Sequence, residues 1–369
     1  MMTHPSRLRR PGRFGRCSAG GLLRTAIMAA ATLLPMSITW AQKPIQLRVV
    51  GGLAGVSQYE HLEKPFWENR IEALSKGRIT AEIHPFDRSG LPGEEMLDLM
   101  RLGVVPFGTA LLALVSGDEP ELNAVDLPAL NPDMQALRKT VELYRPYLQQ
   151  ILRTKFDIEL LAVYAYPAQV IFCAKPFTGL SDLAGRRIRT SSVGQSEMMA
   201  ALGAIPVLTP FAEITNAVRT GIVDCAITGT LSGNEIGLSN VTSYIYPMAI
   251  SWGVSFFGAN IVAWEALPQD LRTMLRAALA DLEHEIWEAA DRETAAGLAC
   301  DIGAPNCSSG HHPSHMTLVP VTPPDEDRRR RLLVESVLPG WIHRCGADCV
   351  AAWNQNLAPA LNIKAGPAD

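Results

Sequence analysis

The chain has no basic stripe interleaved with aromatics, so nothing in it suggests a nucleic-acid surface. After the first forty-one residues it has no apolar run long enough to cross a bilayer. It has no complete serine elbow either: Ala249-Ile250-Ser251-Trp252-Gly253 lacks the first glycine. His61, His84, His284 and His343 are scattered, and none stands in a recognisable catalytic context. These absences weigh against a secreted hydrolase.

The opening segment also lacks acid. Residues 1–41 contain Arg7, Arg9, Arg10, Arg13, Arg16 and Arg24 but no Asp or Glu, followed by an apolar run from Ala26 to Ile38 and then Thr39-Trp40-Ala41. This is the pattern of a secretory signal with cleavage after Ala41, its apolar run too short for a membrane span. The Arg9-Arg10 pair lacks the context of a good twin-arginine signal, and Cys17 comes too early for lipid attachment. The expected mature protein is soluble and periplasmic. It keeps 369 less 41, or 328, residues, enough for two domains. The full chain carries a net charge of −4, and removing a purely basic leader makes it more acidic.

Six cysteines remain. Cys173 and Cys225 sit in apolar strand-like contexts and read as buried thiols. Cys300 with Cys307 and Cys345 with Cys349 form two close pairs, expected as disulfides in an oxidising compartment, with crossed pairing as the alternative. His311, His312 and His315 raise a metal site, but their spacing fits no zinc pattern and the segment reads as a solvated loop. No metal and no cofactor are expected.

Strands and helices alternate along the chain. Ile45, Leu47 and Val49 form a strand, Val56 to Leu74 a helix, Ile79 to Ile83 a second strand, and Gly93 to Leu102 a helix. Val104 to Phe107 reads as a buried strand weakened by Pro106, and Asn131 to Lys155 contains a longer helix. Further strands are expected at 160–164, 169–173 and 223–227, which together argue for a parallel-sheet α/β protein. Pro268 opens a helix reaching about Leu298, with Leu271, Leu275, Ala278, Leu282 and Ile286 on one face, long enough to cross between domains. Arg328 to Arg331 read as a solvated structural face.

The stretch Leu180 to Ser192 carries the chemistry. Ile188 faces a core, which places Arg187 and Arg189 on the other strand face, and Thr190, Ser191 and Ser192 can cap the next helix. In open α/β sheets ligands sit beyond the carboxyl ends of strands, so Arg189 beside helix-start amides suits a carboxylate. Arg186 and Arg187 read as surface arginines. Thr228 holds the same strand-end position as Arg189 in the 223–227 strand, and the pairing points to one crevice.

Three motifs resemble those of solute-binding proteins of tripartite ATP-independent periplasmic (TRAP) transporters. Leu183-Ala184-Gly185-Arg186-Arg187-Ile188-Arg189 is similar to their "D-L-x-G-x-K-I-R" strand, and Gly221 to Ala226 to their "G-x-V-D-G" strand. Trp264-Glu265-Ala266-Leu267-Pro268 is similar to their "W-x-x-L-P" helix start. The resemblance implies a two-domain, periplasmic-binding-protein-like (type II-like) α/β fold, each domain a mostly parallel sheet flanked by helices, with a long helix crossing the hinge. The corresponding division is 42–165 and 166–250, with 251–369 returning to the first domain and ending in a disulfide-bearing helical segment. It also implies delivery of an organic acid to membrane permease subunits, by a monomer with no enzymatic activity.

By the same resemblance, Arg189 clamps the substrate carboxylate, Thr228 adds a hydrogen bond to it, and Phe211 packs against the ligand. Gln169 stands where sugar-acid binders carry a second arginine, and Leu111 near a position that is acidic there. With Trp252 they suggest a monocarboxylate with an apolar or aromatic body. Thr228-Gly229 stands where metal-assisted 2-oxo-acid binders carry an acid and tryptophan, so no metal is implied. Ser57, Gln58 and Tyr59 are candidates for the opposite wall, or an ordinary helix start. A ligand sensor facing a membrane receptor is the alternative reading.

Overall fold

A computed structural model describes residues 43–307 and 312–366. The expected export signal and His311 lie outside the described residues. Four strands come first: β1 (Ile45–Gly51), β2 (Ile79–Pro85), β3 (Phe107–Leu111) and β4 (Ile158–Tyr164). The chain then crosses through residues 165–168. It builds a second sheet from β5 (Gln169–Cys173), β6 (Arg187–Thr190), β7 (Ile205–Leu208), β8 (Cys225–Gly229) and β9 (Tyr244–Ser251). It returns through residues 252–254 and adds β10 (Ser255–Asn260) to the first sheet, and β11 (Thr317–Leu318) later joins the second.

The sheet orders are β2-β1-β3-β10-β4 and β11-β9-β5-β8-β6-β7. In each sheet one strand opposes all the others: β10 in the first lobe and β5 in the second. Those are the strands that enter from the other lobe. A strand continuing straight from one sheet into its neighbour arrives against the direction set by the crossover units, which are parallel.

Packing follows the periodicity. The helix Met134–Phe156 starts at Asp133, which accepts from Ala136 N at 2.8 Å, and it buries Leu137, Val141, Tyr144, Leu148 and Leu152. The helix Gln269–Asp301 buries Leu271, Leu275, Leu279, Leu282 and Ile286 against the first lobe. Farther along, Gly297 lies on the backbone of Thr230 and Leu231 in the second lobe, too close for any side chain. One apolar core covers the outer face of the first sheet, and the other runs from its inner face into the second lobe.

Several expectations need correction. The third strand begins at Phe107, and Val104 is exposed, because Pro106 has no N–H for the ladder. Cys173 and Cys225 are not free thiols: they face each other across β5 and β8 and form a disulfide. Cys300–Cys307 and Cys345–Cys349 are paired locally. Arg329 is not solvated; it is buried and donates to Ala129 O and Glu326. The C-terminal helices tie both lobes, since Trp341 donates to Pro120 O at 2.7 Å while Arg344 pairs with Glu197.

Candidate functional site

Arg189 is the third residue of β6 and is only 3% exposed. β6 lies between β7 and β8, and the carbonyls at their carboxyl ends hold the guanidinium. Nε donates to Thr209 O at 2.9 Å and Nη1 to Ile227 O at 2.7 Å. Neither bond uses Nη2, and among the described residues no carboxylate pairs with it. Burial pushes the group down to about 9, so it remains charged at neutral pH. A buried cation fixed by dipoles and lacking a counter-ion is a site for an anion. Arg187, one turn of the pleat away, is neutralised instead: it holds Asp224 by two bonds of 2.9 and 3.1 Å. Arg186 donates to the carbonyls of Asp182, Lys175 and Pro176.

On the neighbouring strands and the helix that follows β6, the second lobe gathers polar side chains. Thr228 is buried beside Ile227 and sits opposite Val170 on β5. Gln169 opens β5 and pairs in register with both Gly229 and Ser251. Its Oε1 accepts from Gln195 Nε2 at 2.9 Å, and the same nitrogen reaches Ser251 Oγ at 2.9 Å. Gln195 Oε1 accepts from Ser191 N at 2.9 Å, while Ser192 caps the helix Val193–Ala201 through Gln195 N. Gln195 and Ser251 were not anticipated. The Ser-rich helix start gave a cap, but nothing local says that the third helical residue turns back over it to β5 and β9.

Phe211 walls a cleft of about 360 Å³ with Ala54, Gly55, Arg88, Thr215 and Glu235. The first lobe supplies Ala54, Gly55, Asp87 and Arg88 to it, and the second supplies the rest. Thr209 links cleft and cation, its carbonyl on Arg189 and Phe211 two residues on. Ser57 joins the lobes: its N–H donates to Glu235 at 3.2 Å and its hydroxyl to Glu293. Burial, with Glu293 and Glu60 nearby, raises Glu235 to about 7.

Other candidates lie elsewhere. Tyr59 is buried in the first lobe's core, its hydroxyl donating to Ile83 O at 3.2 Å, and burial raises it to about 12. Trp252 is buried in the return crossing and donates through Nε1 to Asn131 O at 3.0 Å. Leu111 ends β3 opposite Ser255, half-buried. Gln58 is buried and donates through Nε2 to Glu63 at 2.6 Å. No cluster of metal-ligating groups among the described residues includes His312 or His315.

Two acids were missed. Glu63 is 1% exposed, accepts from Gly52 N at 2.9 Å, and is raised by burial to about 7. Asp126 accepts from three successive amides of the return crossing, Trp252 at 2.8, Gly253 at 2.8 and Val254 at 3.1 Å. Burial raises it to about 6 although those bonds pull it down.

Two sheets that exchange one crossing strand each make a two-lobed α/β fold. The chain belongs to the DctP family, bacterial extracellular solute-binding protein family 7, which matches residues 51–298. It is therefore a receptor and not an enzyme. It is 25% identical over 277 residues to a C4-dicarboxylate-binding periplasmic protein of Rhodobacter capsulatus, covering 70% of this chain and 78% of that one. Its fold is similar to DctP7, a Bordetella pertussis extracytoplasmic solute receptor binding pyroglutamic acid: TM-score 0.72, 22% identity, 84% of this chain and 99% of that one. It is also similar to a TRAP periplasmic solute-binding protein of Rhodoferax ferrireducens with bound malonate: TM-score 0.69, 22% identity, 86% of this chain and 100% of that one. No helix among the described residues is long and apolar enough to cross a membrane.

Proposed function

We propose that this receptor, exported and cleaved after Ala41, captures a small organic acid between its lobes and delivers it to TRAP membrane permease subunits. The observation that carries the reading is Arg189, a buried guanidinium with two carbonyl braces and no acid partner among the described residues. The ligand carboxylate supplies the missing charge, with Thr228 beside it, the Gln169–Gln195–Ser251 cluster as a neutral polar wall, and Phe211 against the ligand's body. Gln169 brings no second positive charge, which favours a single carboxylate. The ligands of the relatives, a C4-dicarboxylate, pyroglutamic acid and malonate, support the organic-acid class and differ in carboxylate count.

Binding proceeds by closure about the crossings near residues 165 and 251, biased by contacts made only when the lobes meet. Ser57 with Glu235 and Glu293 supplies such contacts. A charge-assisted hydrogen bond contributes roughly 1.5–3 kcal/mol, so a two-bond clamp provides much of the roughly 8 kcal/mol behind micromolar affinity. A thermal-shift screen of monocarboxylates, dicarboxylates and sugar acids tests the reading. Monocarboxylates should raise the melting temperature most, and a dicarboxylate as sole hit would defeat the single-carboxylate assignment.

A further inference from the structure

The cleft of about 360 Å³ between the lobes carries two charges that the carboxylate clamp does not use. Arg88 closes the short turn Phe86–Arg88 after β2 and stands exposed on the first-lobe wall. Its fork lies across that wall, since a side chain at Gly55 would come 3.9 Å from Nη2. No acid among the described residues pairs with it. Its neighbour Asp87 is held by its own lobe, with Oδ1 on Ala54 N at 2.9 Å.

Glu235 ends the helix Thr230–Glu235 and lines the second-lobe wall of the same cleft, half-buried. Its Oε2 accepts from Ser57 N at 3.2 Å, and no cation among the described residues pairs with it. Two more acids stand close by. Glu293 takes the Ser57 hydroxyl at 2.5 Å, and Glu60 takes Gly55 N at 3.3 Å. Burial first, then Glu293 and Glu60, makes the Glu235 carboxyl hold its proton up to about 7. A guanidinium brought against it acts in the opposite sense and favours the carboxylate.

Among the described residues Arg88 is the one basic side chain lining this cleft. Closure of the lobes narrows the cleft, and attraction between opposite charges grows steeply as water leaves the gap. A second carboxylate on the ligand could also meet Arg88. It would then sit among Asp87, Glu235, Glu293 and Glu60, and that repulsion disfavours it.

We propose that Arg88 and Glu235 pair across the cleft as the lobes close, which holds the closed form and leaves the ligand no free cation at its far end. They are positioning residues that select an acid whose body is uncharged away from the clamp. This rests on the reading of Arg189 as the carboxylate clamp, and deepens it.

Acids that differ by a distal carboxylate test the proposal: hexanoate against adipate, and benzoate against terephthalate. Titration calorimetry is run at roughly pH 8, where Glu235 is ionised even before the lobes close. The wild-type protein should bind the monocarboxylate of a pair roughly ten-fold more tightly or better. Glu235→Gln releases Arg88, so the monocarboxylate should weaken roughly five-fold while the dicarboxylate gains. Arg88→Met leaves Glu235 unopposed and should weaken both members, the dicarboxylate more. Arg88→Glu combined with Glu235→Arg should recover most of the lost monocarboxylate affinity. Melting of each unliganded variant checks that it is folded. Side chains that merely supported the fold would neither rescue each other nor move the dicarboxylate in opposite directions.

A charge swap no better than the single variants, with Arg189→Ala still removing binding, would overturn the pair and leave the clamp standing. So would a wild-type preference for the dicarboxylate that Arg88→Met abolishes, because Arg88 would then be a ligand anchor. Failure of all four acids to bind, while other carboxylates bind through Arg189, overturns the selectivity as well. If no carboxylate binds at all, the underlying reading fails with it.

Discussion

The second lobe buries a cation and the first lobe two acids, none with a counter-ion among the described residues. In the second lobe Arg189 is held by the carbonyls of Thr209 and Ile227 and pairs with no acid among the described residues. In the first, Glu63 and Asp126 are held by an amide side chain and backbone N–H groups and pair with no cation among the described residues. Elsewhere the same protein neutralises acids directly: buried Glu159 takes Arg153 and Arg276, and half-buried Glu283 takes Arg145. The pattern is not confined to Arg189, Glu63 and Asp126: Asp301 is also buried, takes Asn234 Nδ2 at 3.0 Å, and pairs with no cation among the described residues.

The sharpest way to break this comparison is to remove the cation. Arg189→Ala should weaken acid binding by roughly a thousand-fold, about 4 kcal/mol, while calorimetric melting shows the protein still folded, because no buried acid is orphaned. Retained tight binding would mean that the lobes are not complementary in the way described. Arg189→Lys should also bind poorly, since an ammonium cannot hold two braces and a planar clamp together.

The next effect falls on the crossing. Asp126→Ala strips the acceptor from three amides in a row and should lower stability by about 3 kcal/mol in urea denaturation, with little change in the intrinsic clamp. A stability within error of wild type would remove Asp126 from the account of the hinge.

Glu63 sharpens the comparison through pH. Its folded-state value of about 7 lies above its ordinary 4.5, so the folded form holds the proton more tightly than the unfolded chain. Stability linked to it is therefore greatest below about 4.5 and is lost as pH rises through about 7. Glu63→Gln should stabilise the protein by roughly 2–3 kcal/mol at about pH 8.5 and by almost nothing at about pH 4. A gain of equal size at both pH values would show that ionisation is not the cause.

The smallest effect is at Ala129. It has φ 67, its N–H bonds Ile250 O at 2.8 Å, and its carbonyl takes Arg329. Held in the left-handed region by partners on either side, it should gain about 1 kcal/mol as Ala129→Gly. The urea midpoint reads this directly, and a loss would mean that the strain is already relieved.

How much of this was legible depends on range. The strand–turn–cap run at 187–192 is local chemistry, so Arg189 at a strand end and Ser192 as a cap could be read directly. The stripe from Leu271 to Ile286 and the short cysteine pairs are local as well. Tyr59 looked like a cleft residue because its loop follows a strand, yet its ring turned into the lobe and its hydroxyl found Ile83 O. Trp252 was spent on Asn131 in the same way. Cys173 and Cys225 are separated by 52 residues, and only the register of β5 on β8 brings them together.

By itself the chain's order of residues showed most of the early strands, the long helices and where the positive fork stands, because each follows from periods of two or 3.6 residues and from side-chain chemistry within a turn. Tertiary structure decided which charges stay unpaired. Whether Arg189 meets an acid depends on which strand lies beside which, and strand order is set by burial across the whole molecule.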